Sequence, residues 1–290
     1  MNGIMVIDKP SGWTSHDVVG KLRSLLRERR IGHGGTLDPM ATGVLPVFVG
    51  RATRAVEFCE SADKDYVAGL RLGLVTDTQD ITGAVLETCR AGVTEDRLRE
   101  VLCGFTGEQQ QIPPMYSAVK INGKKLYELA RRGIEEERKP RTITIKKLEL
   151  CGMKDGDFLL EVNCSKGTYI RTLCHDIGQK LGCGAVMSSL VRTRAGAFTL
   201  NDAVTLEEVE TAAQNGVAEM LLRPVDSLFS SYPALTIAGE NEKKCRNGNA
   251  FKKDTDFSGK CRVYSQSGEF LMLGNAENGV IRTVKSFFEV

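Results

Sequence analysis

The chain has 290 residues, a formal net charge of +2 and a hydrophobic fraction of 41%, enough for one large domain, a small one and a substantial core. No run of 18 apolar residues occurs, and MNGIMVIDKPSGW lacks the charged and apolar regions of a secretion signal, so a membrane span is not expected and the cytoplasm is the expected compartment. Nine scattered cysteines without a CxxC pair read as reduced thiols, not as a disulfide framework or a zinc site.

In chain order, residues 3–7 (GIMVI) read as a strand, and Thr14 or Ser15 is placed to cap a helix with Val18, Val19, Leu22, Leu25 and Leu26 as its apolar stripe. A basic run, Lys21, Arg23, Arg27, Arg29 and Arg30, precedes a Gly-rich stretch over 32–43. VLPVFV at 44–49 suits a buried strand, and Tyr66 to Leu74 reads as another. A helix starts near Thr94, with Val93 and Leu98 as a hydrophobic staple and Glu95 and Asp96 in its positive first turn.

Residues 108–140 combine Pro113–Pro114, an Asn-Gly turn at 122–123 and dense positive charge, the marks of a mobile arm rather than core. From Val119 to Lys147 ten basic residues face four glutamates, a local net of +6 that leaves the remainder slightly acidic. One such run can be a solvated helix face. Two of them flanking the Gly-rich stretch point toward a polyanion.

TITIKKLEL (142–150) and FLLEVNC (158–164) are strand-like, Ile170, Leu173, Cys174, Ile177 and Leu181 recur at helical spacing, and Thr205 with Glu208 fits a capping box. Beyond Pro233 short strands are divided by Ser-Gly and Asn-Gly turns. The expected organisation is an α+β domain over 1–232, without a βαβ rhythm, and a small β-rich module over 233–290.

The chemistry is concentrated in IGHGGTLDPMATGVLPVFVGRATR (31–54). Its glycines allow positive φ and close backbone approach, and Pro39 restricts the chain beside Asp38. An aspartate presented in this way can act as nucleophile or charge stabiliser, although Asp-Pro in such a loop also serves as a plain turn. His33-Gly34-Gly35 faintly resembles a lipase oxyanion strand, but no GxSxG supplies a nucleophile. No Walker A and no HxE…PCxxC occurs, so nucleotide hydrolysis and zinc deamination lose support.

GHGGTLDPMATGVLPVFVGRATR closely resembles the catalytic motif of the TruB family of tRNA pseudouridine synthases. GIMVIDKPSGWTSHDVV resembles the family's opening motif, KDYVAGLRLGLVTDTQDITG its tyrosine motif, and PPMYSAVKINGKKLYELARRGIE its RNA-gripping insertion. CSKGTYIRTLCHDIGQKLGCGAVMSSLVRTRAGAF resembles the arginine and leucine motifs, and the C-terminal module more weakly a PUA-type domain. The motifs follow the family's order across most of residues 3–198.

The resemblance implies a mixed, mainly antiparallel sheet for the catalytic domain and a PUA-like RNA-binding domain at the C-terminus. It makes Asp38 the catalytic aspartate, Tyr66 the tyrosine against the target base and Arg171 the partner of the carboxylate. His33, Tyr169 and Leu190 match substrate-contacting positions, and Lys9 and Pro10 match the opening Lys-Pro, for which a structural role serves as well. Lys124, Lys125, Arg131 and Arg132 fall on the insertion, where they would meet RNA phosphates. The implied partner is the T-arm of tRNA, with uridine 55 the target, and no cofactor, metal, membrane or obligate protein partner is implied. A guide-RNA-dependent relative and an RNA-folding chaperone are the competing readings.

Overall fold

A computed structural model describes residues 1–121 and 123–288; the Asn-Gly turn expected in the arm includes Asn122, outside the described residues. β1 (Gly3–Lys9) is buried except at Asp8. α1 (Ser15–Leu26) starts at Thr14, whose hydroxyl accepts the Asp17 N–H while the Asp17 carboxylate accepts the Thr14 N–H, so both exposed donors are satisfied. Val18, Val19, Leu22 and Leu26 are buried and Leu25 is half-buried. β2 (Ile31–His33) and β3 (Thr42–Val49) bracket the Gly-rich stretch, and α2 (Val56–Glu60) leads into β4 (Lys64–Leu72).

A hairpin of β5 (Leu74–Thr76) and β6 (Val85–Thr88) precedes α3 (Glu95–Cys103), capped by Thr94 with Leu98 buried and Val93 packed on the same cluster. β7 (Gly107–Gln111) follows. The arm contains β8 (Lys120–Ile121), β9 (Lys124–Lys125) and α4 (Leu126–Ala130). It differs from the expected loop at both levels: residues 108–111 belong to β7, and Leu126 and Leu129 are buried. β10 (Arg141–Lys154), β11 (Asp157–Cys164), α5 (Ile170–Leu181), β12 (Ala185–Ala195), β13 (Phe198–Thr199) and α6 (Leu206–Gln214) complete the larger unit.

The main sheet runs β1-β3-β12-β4-β11-β10-β7, with β2 and β13 paired to β3 and β12. All its neighbours are antiparallel except β3 and β12. α3 and α5 bury the face carrying Tyr66, Ala68 and Leu70, while α1 and α6 pack with Met5, Ile7, Leu45 and Val47. Mixed, mainly antiparallel sheet covered by helices matches the α+β expectation. All nine cysteines are free thiols. Among the described residues no helix is long and apolar enough to cross a membrane.

The C-terminal sheet has the order β14-β16-β17-β18-β15, where β14 is Ala234–Ile237, β15 Phe251–Lys252, β16 Gly259–Ser265, β17 Phe270–Glu277 and β18 Val280–Ser286; α7 (Gly239–Arg246) follows β14. Asn278 and Gly279, at φ 51 and 70, make the predicted two-residue Asn-Gly turn between β17 and β18. This sheet packs on the larger unit through an aromatic seam in which Phe229 meets Phe58, Tyr232, Phe270 and Phe287.

The parallel contact of β3 and β12 is confined to Thr42–Val191 and Gly43–Arg192. Gly43 has φ 97, and a Cβ there would lie 2.3 Å from the Arg192 carbonyl oxygen. Only glycine lets the two backbones meet at this point. Gly43→Ala is expected to destabilise the fold by about 3 kcal/mol or more through strain and clash, measured as a lower urea midpoint at unchanged m-value.

Candidate active site

The stretch between β2 and β3 is held almost residue by residue. The Gly34 N–H donates to Pro46 O at 2.8 Å, the Leu37 N–H to Ser15 Oγ at 2.9 Å, the Ala41 N–H to Asp38 O at 3.0 Å and the Gly12 N–H to Pro39 O at 2.8 Å. Two fully buried cations finish the work. Lys9 Nζ donates to the carbonyls of Pro10 (2.8 Å), Trp13 (2.6 Å) and Pro39 (3.3 Å). Arg192, 1% exposed, donates from Nε to Val44 O at 2.7 Å, from Nη2 to Gly35 O at 3.0 Å and from Nη1 to Thr36 O at 3.4 Å. Burial brings the Lys9 ammonium down to about 8, with the Arg192 charge acting the same way and Asp38 opposing it.

The Asp38 side chain is left facing Arg171. Their side chains are 35% and 5% exposed; Arg171 Nε lies 2.9 Å from Oδ2, an ionic contact, and Nη2 donates to Oδ1 at 3.3 Å. The rest of the guanidinium is fixed by Thr78 O at 3.0 Å, Tyr116 O at 2.8 Å and the buried Asp80 carboxylate at 3.7 Å. Asp80 is itself held by the hydroxyls of Thr78 (2.9 Å) and Thr82 (2.6 Å) and by the Thr82 N–H (3.0 Å). Arg171 is therefore a rigid fork between two carboxylates, and Asp38 is the more exposed of the two.

Tyr66 and Leu190, 9% and 6% exposed, lie in the same buried cluster as Leu37 and Ala41. Tyr66 sits opposite Arg192 across β4 and β12, and Leu190 opposite Ala68. Burial pushes the Tyr66 phenol up, and the Arg192 guanidinium, by its charge and a hydrogen bond, opposes that rise. Tyr169 precedes α5, so it and Arg171 share one turn; Gln111 clamps its backbone in both directions, accepting the N–H at 2.8 Å and donating to its carbonyl at 3.0 Å. The Arg141 guanidinium lies 5.6 Å from the Tyr169 ring. His33 makes an edge contact with His16 at 5.7 Å.

The arm reaches this constellation through the Tyr116 carbonyl. Lys124, Arg131 and Arg132 are exposed, while Lys125 and Arg131 lie 5.4 and 5.3 Å from the Tyr127 ring. The N-terminal basic run is more structural: Lys21 pairs with Glu210 at 3.1 Å, Arg23 donates to Ile31 O at 3.0 Å and Arg30 to Thr53 Oγ1 at 2.8 Å. Sequence reasoning missed Asp80, Gln111 and Arg192. Asp80 stands inside the quoted TDTQDITG segment, where Asx-turn chemistry was legible, but its contact with Arg171 depends on the fold. Among the described residues no cluster of His, Cys, Asp and Glu could hold a metal ion.

The site is a surface-opening carboxylate locked to a buried guanidinium beside an aromatic and aliphatic wall. The sequence model of the TruB family pseudouridylate synthase N-terminal domain matches residues 23–170, and that of the tRNA pseudouridylate synthase B C-terminal domain matches residues 171–230. The chain therefore belongs to the TruB family of pseudouridylate synthases. It is 42% identical over 293 residues to tRNA pseudouridine synthase B of Clostridium kluyveri, covering 99% of this chain and 100% of that protein. It is 46% identical over 262 residues to the protein of the same name from Bacillus cereus, covering 88% and 85%. Among solved structures, an H/ACA RNP bound to a substrate RNA containing 2'-deoxyuridine has a chain that matches with a TM-score of 0.75 at 26% identity, over 99% of this chain and 85% of that one.

His33 carries a pH signature. Its Nδ1 is buried without a hydrogen-bond partner among the described residues, and burial, with His16 and Arg192 adding to it, brings the ring from 6.5 down to about 4. Between those values the unfolded chain holds a proton that the folded chain lacks. The stability so contributed is complete above pH 6.5 and is lost as the pH falls toward 4. His33→Gln is expected to reduce this pH dependence by about 3 kcal/mol at most, read from urea unfolding at pH 7 and 4.5.

Proposed function

We propose that the chain isomerises a uridine in the T-arm of tRNA, at position 55, to pseudouridine, with Asp38 supplying the catalytic carboxylate. The observation that carries this reading is the Asp38–Arg171 pair at 2.9 Å, set beside Tyr66 and Leu190 in a chain of this family. The isomerisation breaks the N1–C1′ bond, joins C5 to C1′ and returns the C5 proton to solvent while N1 gains one, so atoms and charge balance without hydrolysis or redox change.

Such a reaction needs a carboxylate that adds covalently or stabilises positive charge, and a pocket that retains the detached base. Arg171 holds the Asp38 oxygens in one orientation before substrate arrives. Tyr66 offers a stacking surface and Leu190 an apolar one, while the partly buried Tyr169 stands in the same turn as Arg171. Extracting a uridine from a folded loop costs a few kcal/mol, of which stacking returns about 1–3 kcal/mol. His33 stands ready to fill the vacated space. Because Asp38 is open to solvent on one side, the bound RNA completes the exclusion of water.

Lys124, Lys125, Arg131 and Arg132 contribute phosphate contacts, and the C-terminal sheet, read as a PUA-like domain over 233–290, adds a second RNA surface. Relatives named tRNA pseudouridine synthase B are 42–48% identical, whereas the H/ACA RNP chain is 26% identical. That difference favours stand-alone action on tRNA over guide-RNA dependence. A separate protein partner has no place in this scheme, and the cytoplasm is the compartment it assumes.

Two tests follow. With an unmodified T-arm stem-loop, the wild-type chain should place pseudouridine at the position equivalent to 55, and Asp38→Asn should lower the single-turnover rate by at least about 1,000-fold with little change in affinity. Modification at another site rejects the assigned target, and a near-normal rate for the variant rejects the assigned residue. Combined Lys124→Ala, Lys125→Ala, Arg131→Ala and Arg132→Ala should reduce the slope of log affinity against log salt by about 0.9 for each lost phosphate contact; an unchanged slope would place the arm away from the backbone.

A further inference from the structure

The chain buries a cation that holds three peptide carbonyls. Arg192 is among the largest fully buried side chains. A buried guanidinium is costly, and a well-packed hydrophobic residue is often as stable or more so. Its retention inside a sheet points to a geometric task. Its hydrogen bonds to backbone go to Val44 O on β3 and to Gly35 O and Thr36 O in the loop that leads to Asp38, and the guanidinium also meets the Tyr66 phenol.

The planarity of guanidinium makes this arrangement a jig. Once Nε is fixed by Val44 O, the positions of Nη1 and Nη2 are set, and with them the peptide planes of residues 35 and 36. Gly35 allows this through its φ of 120, a conformation that residues with a side chain rarely adopt. Leu37 is pinned next by Ser15, and the chain after Asp38 is fixed by Gly12, Ala41 and Lys9. Arg192 is therefore the long-range tie on the N-terminal side of Asp38, reaching across more than 150 residues of sequence. Its own strand position is fixed by the Gly43 contact, so the sheet and the loop share one anchor.

We propose that Arg192 is a positioning residue for the reaction: it sets the height and tilt of the Asp38 carboxylate through the Gly35 and Thr36 carbonyls and touches neither RNA nor the reacting atoms. This rests on the reading of Asp38 given above. Loss of the tie would free two peptide planes, and a displacement near 1 Å at a reacting group costs about 100-fold in rate.

The test uses the full chain and the unmodified T-arm stem-loop under single-turnover conditions with enzyme in excess, and follows rate constant, amplitude and RNA affinity separately. Arg192→Met should lower the rate constant by about 100-fold with affinity within about two-fold. Arg192→Lys, which keeps a cation able to reach one of the carbonyls, should regain about ten-fold. A tie that serves only folding would lower the amplitude, the fraction of competent enzyme, at a wild-type rate constant; that result overturns the proposal, as does a parallel loss of affinity and rate. If Arg192→Met does not fold, Arg192→Lys decides alone: a rate constant about ten-fold below wild type at unchanged affinity supports the assignment, and a wild-type rate constant overturns it. Asp38→Asn, run alongside, separates the two claims. If it is active, the assignment of Asp38 fails; if it is inactive while Arg192→Met reacts at full rate, only the role of Arg192 fails.

Discussion

A carboxylate can be held still only if the peptides beside it are held still, and a turn packed against a sheet exposes carbonyls that water cannot reach. This chain supplies their donors with buried cations. Lys9 serves the Pro39 carbonyl and Arg192 those of Gly35 and Thr36. The parallel meeting of β3 with β12, the glycine at position 43 and the burial of Lys9 in β1 all follow from bringing those donors within reach. Arg171 then has a single remaining task, to fix the side chain of Asp38 itself. The peptides beside Asp38 and its side chain are thus governed by different cations, from β1, β12 and α5.

Most elements were legible because they rest on local physics. Of Thr14 and Ser15 it is Thr14 that caps α1, the helix expected near Thr94 is capped by Thr94, Thr205 forms its capping box with Glu208, and the apolar stripe of α1 reappears as its buried face. The Asn278-Gly279 turn is set by the positive φ both residues adopt. The helix Gly239–Arg246 was not anticipated, since its charged sequence has one buried residue, Cys245, and no stripe to reveal it. The arm misled in another way. Its composition reads as loop, yet β7 is an edge strand paired to β10, and polar GEQQQ carries no alternation of the kind that marks a strand.

The candidate site rests on resemblance rather than on pattern. Asp38 and Arg171 stand 133 positions apart, and no period connects them; only the fold brings them to 2.9 Å. Arg192 sits in a run, LVRTRAG, that reads as an ordinary strand with outward charges, and it points inward. Gln111 likewise appears as one of three successive glutamines, of which it alone is buried. Residues that act through backbone oxygens leave no spacing signal, because their partners contribute no side chain to be recognised.

The aromatic seam ties opposite ends of the chain into one cluster, with Ile4 and Val6 of β1 packed alongside Leu273 and Phe287. Contacts of such sequence separation raise the contact order, and a high contact order slows folding. Until the C-terminal sheet docks, Phe229 lacks its partners Phe270 and Phe287. During that interval Phe229 and Phe48 would present an apolar surface to whatever is nearby, and the order of assembly, more than the final packing, would then decide whether the chain matures or associates with another unfinished copy.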